Sequence, residues 1–150
     1  MTDIIIYTDG ACSGNPGAGG WGVVVINNAD IEKFNGYEKD TTNNRMELMA
    51  AIQGIAKQKT GSKITLYTDS KYVKDGISAW VINWKKNNWL TSAKKPVKNK
   101  DLWERLDSLC ESYEVVWKWV RAHQEDLSED TLYNNMADEL AREGISKWKD

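Results

Sequence analysis

Apolar positions in this chain come in short bunches whose period changes along its length. Residues 3–9, DIIIYTD, form a β-branched run that is apolar on both faces and too brief for a helix, which predicts a buried strand. Residues 21–26, WGVVVI, predict a second strand, and residues 31–38, IEKFNGYE, alternate loosely as a third. Short connections make these an antiparallel meander. Over TTNNRMELMAAIQGIAKQ the period becomes helical: Leu48, Ile52 and Ile55, with Met49 and Ala56, line one stripe. KITLYTD (63–69) predicts a fourth strand, and the intervening helix permits a parallel crossover. Short helices are expected over 70–89, a basic loop over 90–100, a helix over 101–111, a fifth strand over 115–120 and a last helix over 134–143. The order is that of an α/β protein, with three antiparallel strands, then parallel strands, in one five-stranded mixed sheet flanked by helices.

Two of the strands end alike. IIIYTDG and ITLYTDS run into the same Tyr-Thr-Asp, sixty residues apart. In open α/β sheets ligands gather beyond the carboxyl ends of strands. Neighbouring strands lie about 4.8 Å apart, so Asp9 and Asp69 would repel unless a cation sat between them. Hard divalent ions with oxygen ligands suit such a site. Asp-Gly also suits a turn and Asp69-Ser70 a helix cap, but neither role requires matching residues before it. Glu47 has capping spacing from Asn44, or is a third ligand at the helix start. Asp138, placed in the first turn of the last helix, favours the helix dipole there.

Charge changes the picture locally rather than globally. Net charge is −2, yet residues 85–100 carry six lysines and no acid, while residues 124–150 carry eight acids against three bases. Eight tryptophans stand against one phenylalanine, and flat rings serve both stacking and core filling. Cys12 and Cys110, without CxxC spacing, are expected as unpaired thiols in a reducing compartment. No stretch reaches membrane-spanning length, and the N-terminus has an acid where a secretion signal carries bases, so a cytosolic location is expected. Gly17, Gly19 and Gly22 spell GxGxxG, but VVVI follows in place of a helix, so no nucleotide cofactor is expected. With no repeats or linkers, residues 1–150 are expected to form one domain without an additional binding module.

TDGACSGNPGAGGWG, TTNNRMELMAA, LYTDSKYV, NWKKNNW, KKPVKNKDLW and WKWVRAHQ…NNMADELA together resemble the bacterial type 1 ribonuclease H family, in order and over essentially the whole chain. The resemblance implies a ribonuclease H-like fold and an endonuclease that hydrolyses the RNA strand of RNA–DNA hybrids. It implies two Mg²⁺ ions, with Mn²⁺ as a substitute, held by Asp9, Glu47, Asp69 and Asp138. His123 matches the family's histidine beside the site, to take or relay a proton or to help release product. Cys12, Asn15, Asn43 and Asn44 match positions that contact RNA, where amides that both donate and accept suit a 2′-hydroxyl. Trp80 matches a residue against deoxyribose, and Thr42 with Asn83 a DNA phosphate site. Lys85, Lys86, Lys94 and Lys95, with Lys98, resemble a basic protrusion that grips phosphates. Trp84 is expected in the core. A monomer is implied.

Two features depart from the family pattern. Lys71 stands where a glutamine follows Thr-Asp-Ser, which exchanges an amide for a cation able to hold phosphate. His123 and Asp138 are fifteen positions apart, and the longer, acidic connection (Glu125, Asp126, Glu129, Asp130) offers a rival fourth ligand. Asp138 is preferred, because a helix holds a ligand more firmly than a loop.

Overall fold

The computed structural model describes residues 3–149. Met1, Thr2 and Asp150, the ends of the expected domain, lie outside the described residues. Five strands, β1 (Asp3–Ser13), β2 (Gly17–Asn27), β3 (Asp30–Thr41), β4 (Lys63–Thr68) and β5 (Glu114–Trp119), form one sheet in the order β3-β2-β1-β4-β5. β1, β2 and β3 pair antiparallel, whereas β4 lies parallel to β1 and β5 parallel to β4. All five expected strands are present, and the first three run longer than their apolar segments because each ladder continues into polar ends.

Helix α1 (Asn43–Ala56) connects β3 to β4. Its cap is Thr42, whose hydroxyl accepts from the Arg45 amide at 3.3 Å. Glu47 therefore stands beyond the capping positions, and the Asn44–Glu47 capping alternative is corrected. The stretch after β4 is a continuous helical rod of three kinds: α2 (Lys71–Asp75), a π-helical turn (Gly76–Trp80) and α3 (Val81–Lys86). α4 is Lys100–Glu111.

The last helix, α5, spans Glu129–Lys149 and so starts five residues before the expected 134. Ser128 caps it: its hydroxyl accepts from the Thr131 amide at 3.2 Å, and Glu129 and Asp130 fill the first turn. Half of the supposed acidic loop is thus helix. Asp138 is the tenth helical residue, too far from the N-terminus to interact with its dipole, so the first-turn placement is corrected.

Strand alternation divides the core between the two faces of the sheet. Ile4, Ile6, Val23, Val25, Ile64 and Leu66 pack with Leu48, Ile52 and Ile55 of α1 and with Leu102, Trp103 and Leu106 of α4. Tyr7, Val24 and Ala137 pack on the opposite face with Ile5, Ile26, Tyr67, Tyr133, Met136 and Leu140, under α5. The charged connection between α3 and α4 holds Val97 in the core while Lys94 and Lys95 are exposed. Cys12 and Cys110 are free, as expected. Among the described residues no helix is long and apolar enough to cross a membrane.

Candidate active site

The repeated Tyr-Thr-Asp is a register. Tyr7 pairs with Tyr67 and Thr8 with Thr68 across the parallel β1–β4 ladder, so Asp9 and Asp69 follow side by side. The two tyrosine rings stack at 4.5 Å with planes 9° apart, and both threonines are fully buried. The motif recurs because its three positions stack a ring, fill the ladder and project an acid at each strand end.

Close backbone approach brings in the acids from the two helices. A Cβ at Gly10 would lie 2.5 Å from the Glu47 amide nitrogen, so only glycine lets the start of α1 rest against β1 and carry Glu47 to Asp9. Gly22 pairs with Asp9 across the β1–β2 ladder, and a Cβ there would lie 2.4 Å from the Ala137 carbonyl oxygen. α5 thereby sits on the sheet backbone and presents Asp138 beside Asp9.

Carboxylate oxygens of Asp9, Glu47 and Asp69 all lie within 4.8 Å of one another. Asp9 and Glu47 are buried, and Asp69 is half-buried. Burial, then Asp69 and Asp138, push the Asp9 carboxyl up to about 9. Burial, then Asp9 and Asp69, push Glu47 well above the ordinary carboxylate value. None of the ion pairs among the described residues neutralises these three acids. The buried Oε1 of Glu47 has no hydrogen-bond partner in the chain. Buried acceptors without donors are rare in folded proteins. An all-oxygen cluster of mutually repelling acids with an orphaned acceptor fits a hard divalent cation.

The raised values set the pH dependence of the metal-free protein. Folded Asp9 retains its proton to about 9, whereas an unfolded aspartate loses it near 3.8. Between those values the folded state binds more protons, so this contribution to stability is full at low pH and declines as pH rises. The urea midpoint in chelator is expected to fall from pH 5 to pH 9, and saturating Mg²⁺ to flatten that slope; a midpoint rising over this range in chelator contradicts the assignment.

Asp138 is outside the three-acid cluster but close enough to Asp9 to hydrogen-bond it, and it pairs with Arg142 at 3.0 Å. Two of the four rival acids of the connection are engaged elsewhere. Asp126 accepts from Ser128, and Asp130 accepts from the Tyr7 hydroxyl. His123 is exposed in the turn after β5, with φ of 54°, and is not drawn into the cluster.

The remaining predicted residues fall in three places. Asn15 accepts from the Asn43 amide at 3.1 Å, and the Cys12 thiol donates to the Thr41 carbonyl at 3.5 Å, so Cys12, Asn15, Asn43 and Asn44 meet where the β1–β2 turn touches α1. Trp80 is 39% exposed against Tyr72, with Asn83 exposed one turn on, while Trp84 packs on the core as expected. Lys86, Lys94 and Lys95 are exposed, but Lys85 reaches Asp107 at 3.1 Å and Glu111 at 3.7 Å on α4. Lys71 lies over the Trp119 ring at 4.8 Å.

Two neighbours of the cluster escaped the sequence reading. Asn134, 2% exposed, donates to Asp69 Oδ2 at 3.3 Å, and the Trp119 indole donates to the Asp69 carbonyl at 3.0 Å. Asn134 and Asp138 share a helix face at four-residue spacing, a signal readable only once α5 is known to begin at Glu129.

Acids converging from adjacent parallel strands and two helices make an all-oxygen site suited to a divalent cation at the carboxyl end of an α/β sheet. A model of the RNase H family matches residues 1–146. The ribonuclease H of Francisella philomiragia subsp. philomiragia is 52% identical over 97% of this chain and 92% of its own. That of Francisella tularensis subsp. novicida is 53% identical over 96% and 91%. Among solved structures, LC9-RNase H1, a type 1 RNase H with the type 2 active-site motif, has a TM-score of 0.82 at 29% identity, over 97% of this chain and 73% of that one. LC11-RNase H1, solved in complex with RNA/DNA hybrid, has a TM-score of 0.73 at 23% identity over 98% and 99%, a likeness of fold. The chain belongs to the RNase H family, and is accordingly a nuclease of the hydrolase class.

Proposed function

We propose that this protein is an endonuclease that hydrolyses the RNA strand of RNA–DNA hybrids, leaving 3′-hydroxyl and 5′-phosphate ends. The carrying observation is the convergence of Asp9, Glu47 and Asp69 within 4.8 Å in a chain of this family. The hybrid bound by LC11-RNase H1 supports the substrate.

Asp9, Glu47 and Asp69, with Asp138 beside Asp9, hold two divalent cations, Mg²⁺ with Mn²⁺ as a substitute. When bound, such ions acidify water and stabilise charge on attacked and leaving oxygens. The chain supplies everything else. Burial of Asp9 and Glu47 excludes water from the ligands. Gly10 and Gly22 set the approach of α1 and α5, and Asn134 and Trp119 fix Asp69 from its side chain and its backbone. His123, on its exposed turn, takes or relays a proton or helps release product.

Cys12, Asn15, Asn43 and Asn44 form the RNA-facing edge, where the amides address the 2′-hydroxyl. Trp80, with Thr42 and Asn83, takes the DNA strand. Thr42 also caps α1, so its hydroxyl already accepts one bond while its proton is still available to a phosphate. Lys86, Lys94 and Lys95 supply charge along the duplex, while Lys85 divides its charge between α4 and solvent. Lys71, held on Trp119 beside Asp69, offers a cation to the RNA strand. The protein works as a monomeric catalytic domain in the cytoplasm and uses no nucleotide cofactor.

A hybrid labelled on each strand in turn tests this reading. Cleavage of the RNA label in Mg²⁺, none in chelator and none of the DNA label is expected. An uncut hybrid, or an all-DNA duplex cut as readily, contradicts it.

A further inference from the structure

We propose that the hydrogen bond from the Tyr7 hydroxyl to the Asp130 carboxylate is a positioning device that locks the axial register of α5 against the sheet, so that Asn134 and Asp138 meet the acids of β1 and β4. The inference rests on the hydrolytic reading above and adds residues to it.

Asp130, Asn134 and Asp138 recur every four residues and form one polar stripe on α5. Each member meets a different point of the strand ends. Asp130 accepts from Tyr7 of β1, Asn134 donates to Asp69 after β4 at 3.3 Å, and Asp138 stands beside Asp9. The stripe spans about 12 Å along the helix axis, eight residues at 1.5 Å each.

Contacts further along already hold α5 to the sheet: Tyr133, Met136 and Leu140 pack on it, and Asn35 Nδ2 donates to the Leu140 carbonyl at 2.9 Å. Gly20 and Gly22 face the carbonyls of Ala141 and Ala137, so the middle of the helix rests directly on the sheet backbone. Those contacts lie from Tyr133 onward, and the Tyr7–Asp130 bond adds a directional contact in the first turn. Tyr7 is well placed to give it. Its ring is 3% exposed, stacked on Tyr67 and tilted against Tyr133 at 5.4 Å, so the hydroxyl has little freedom. It precedes Asp9 by two residues on the same strand and therefore shares its face. Strand β1 thus carries both the anchor and the first acid.

The same helix end holds the histidine turn. Asn135 donates to the Gln124 carbonyl at 3.4 Å, one residue past His123. A slip of α5 would therefore move Asn134, Asp138 and the histidine turn together. Tyr7 and Asp130 touch no reacting group in this scheme; they are positioning residues.

Steady-state cleavage of labelled hybrid, with Mg²⁺ affinity by calorimetry as an independent readout, tests this. Tyr7→Phe keeps the ring stack and removes only the hydroxyl. Tyr7→Phe and Asp130→Ala are each expected to lower kcat on the order of tenfold or more and to weaken Mg²⁺ binding. Hybrid KM should stay within about twofold of the unaltered protein. The losses should not add in the double variant, because both remove one contact. Asp130→Asn, whose amide oxygen still accepts from the phenol, should retain most of kcat. Unchanged kcat and Mg²⁺ affinity in Tyr7→Phe and Asp130→Ala, with only a lower Tm, would overturn the proposal, and so would an Asp130→Asn variant as impaired as Asp130→Ala. If the unaltered protein cleaves no hybrid, the hydrolytic reading fails separately, and the Mg²⁺ affinities of the variants still decide the register.

Discussion

Asp9→Asn is expected to lower kcat on the order of 10³-fold or more while making the metal-free protein more stable. Both effects have one cause. Asp9 is the acid that approaches both Asp69 and Asp138, and burial with those neighbours pushes its carboxyl up to about 9. An amide of the same shape keeps an oxygen for the Gly10 amide, now 2.9 Å from Oδ1, yet removes the charge that a cation needs. In chelator the substitution removes the cost of holding a proton on Asp9 far above its unfolded value, and Tm should rise at pH 8, by about 2–4 °C for each kcal/mol relieved in a chain of this size. A surface acid would show neither effect, and an acid important only for folding would show the opposite change in Tm. Hybrid binding should largely survive, because the residues read as substrate contacts are other side chains, of which only Cys12 shares β1 with Asp9. Measuring kcat together with Tm in chelator checks the pair; normal turnover, or a lower Tm, contradicts it.

Gly10→Ala is the second large expectation. The added Cβ would stand 2.5 Å from the Glu47 nitrogen and from the Met46 carbonyl carbon, both main-chain atoms that cannot swing aside. The start of α1 must move, and Glu47 moves with it. Displacing a catalytic group by about 1 Å costs on the order of 10²-fold in rate, and overpacking costs about 1–3 kcal/mol in stability. Gly61→Ala serves as the control. Gly61 has φ of +90° with nothing within 4 Å of an added Cβ, so alanine there strains the backbone ahead of β4, at the opposite end of that strand from Asp69. Gly10→Ala should lose activity well beyond what its stability loss explains, and Gly61→Ala should lose stability alone. Equal kcat in the two variants would show that α1 tolerates the shift.

What the sequence revealed was what repeats or alternates locally. The two Tyr-Thr-Asp runs announced adjacent strands because register is written in the side chains themselves: Tyr7 over Tyr67, Thr8 beside Thr68. The stripe of α1 was readable for the same reason, being buried along its length as Leu48, Ile52 and Ile55. The start of α5 was missed because an acidic segment reads as solvated loop, although Ser128 followed by Glu129 and Asp130 is a good helix-start pattern. Asn134, Trp119 and Tyr7 were passed over because their partners are distant: Tyr7 meets Asp130 across 123 residues and Asn134 meets Asp69 across 65. Contacts of that range leave no period in the chain. Gly22 escaped for a related reason, since its need to lack a side chain comes from Ala137 on another element. Lys85 shows the converse, a residue with the right charge whose partners on α4 only the fold discloses.

Calorimetric titration of the metal-free protein with Mg²⁺ at pH 8, in two buffers of different ionisation enthalpy, is the most direct measurement of the acidic cluster. Binding should expel the proton that burial and its acidic neighbours hold on Asp9, so the observed heat should depend on the buffer, and Asp9→Asn should give no binding heat. Mg²⁺ bound equally well by Asp9→Asn, or bound by the unaltered protein with no buffer-dependent heat, would contradict the assignment of these acids to a shared cation.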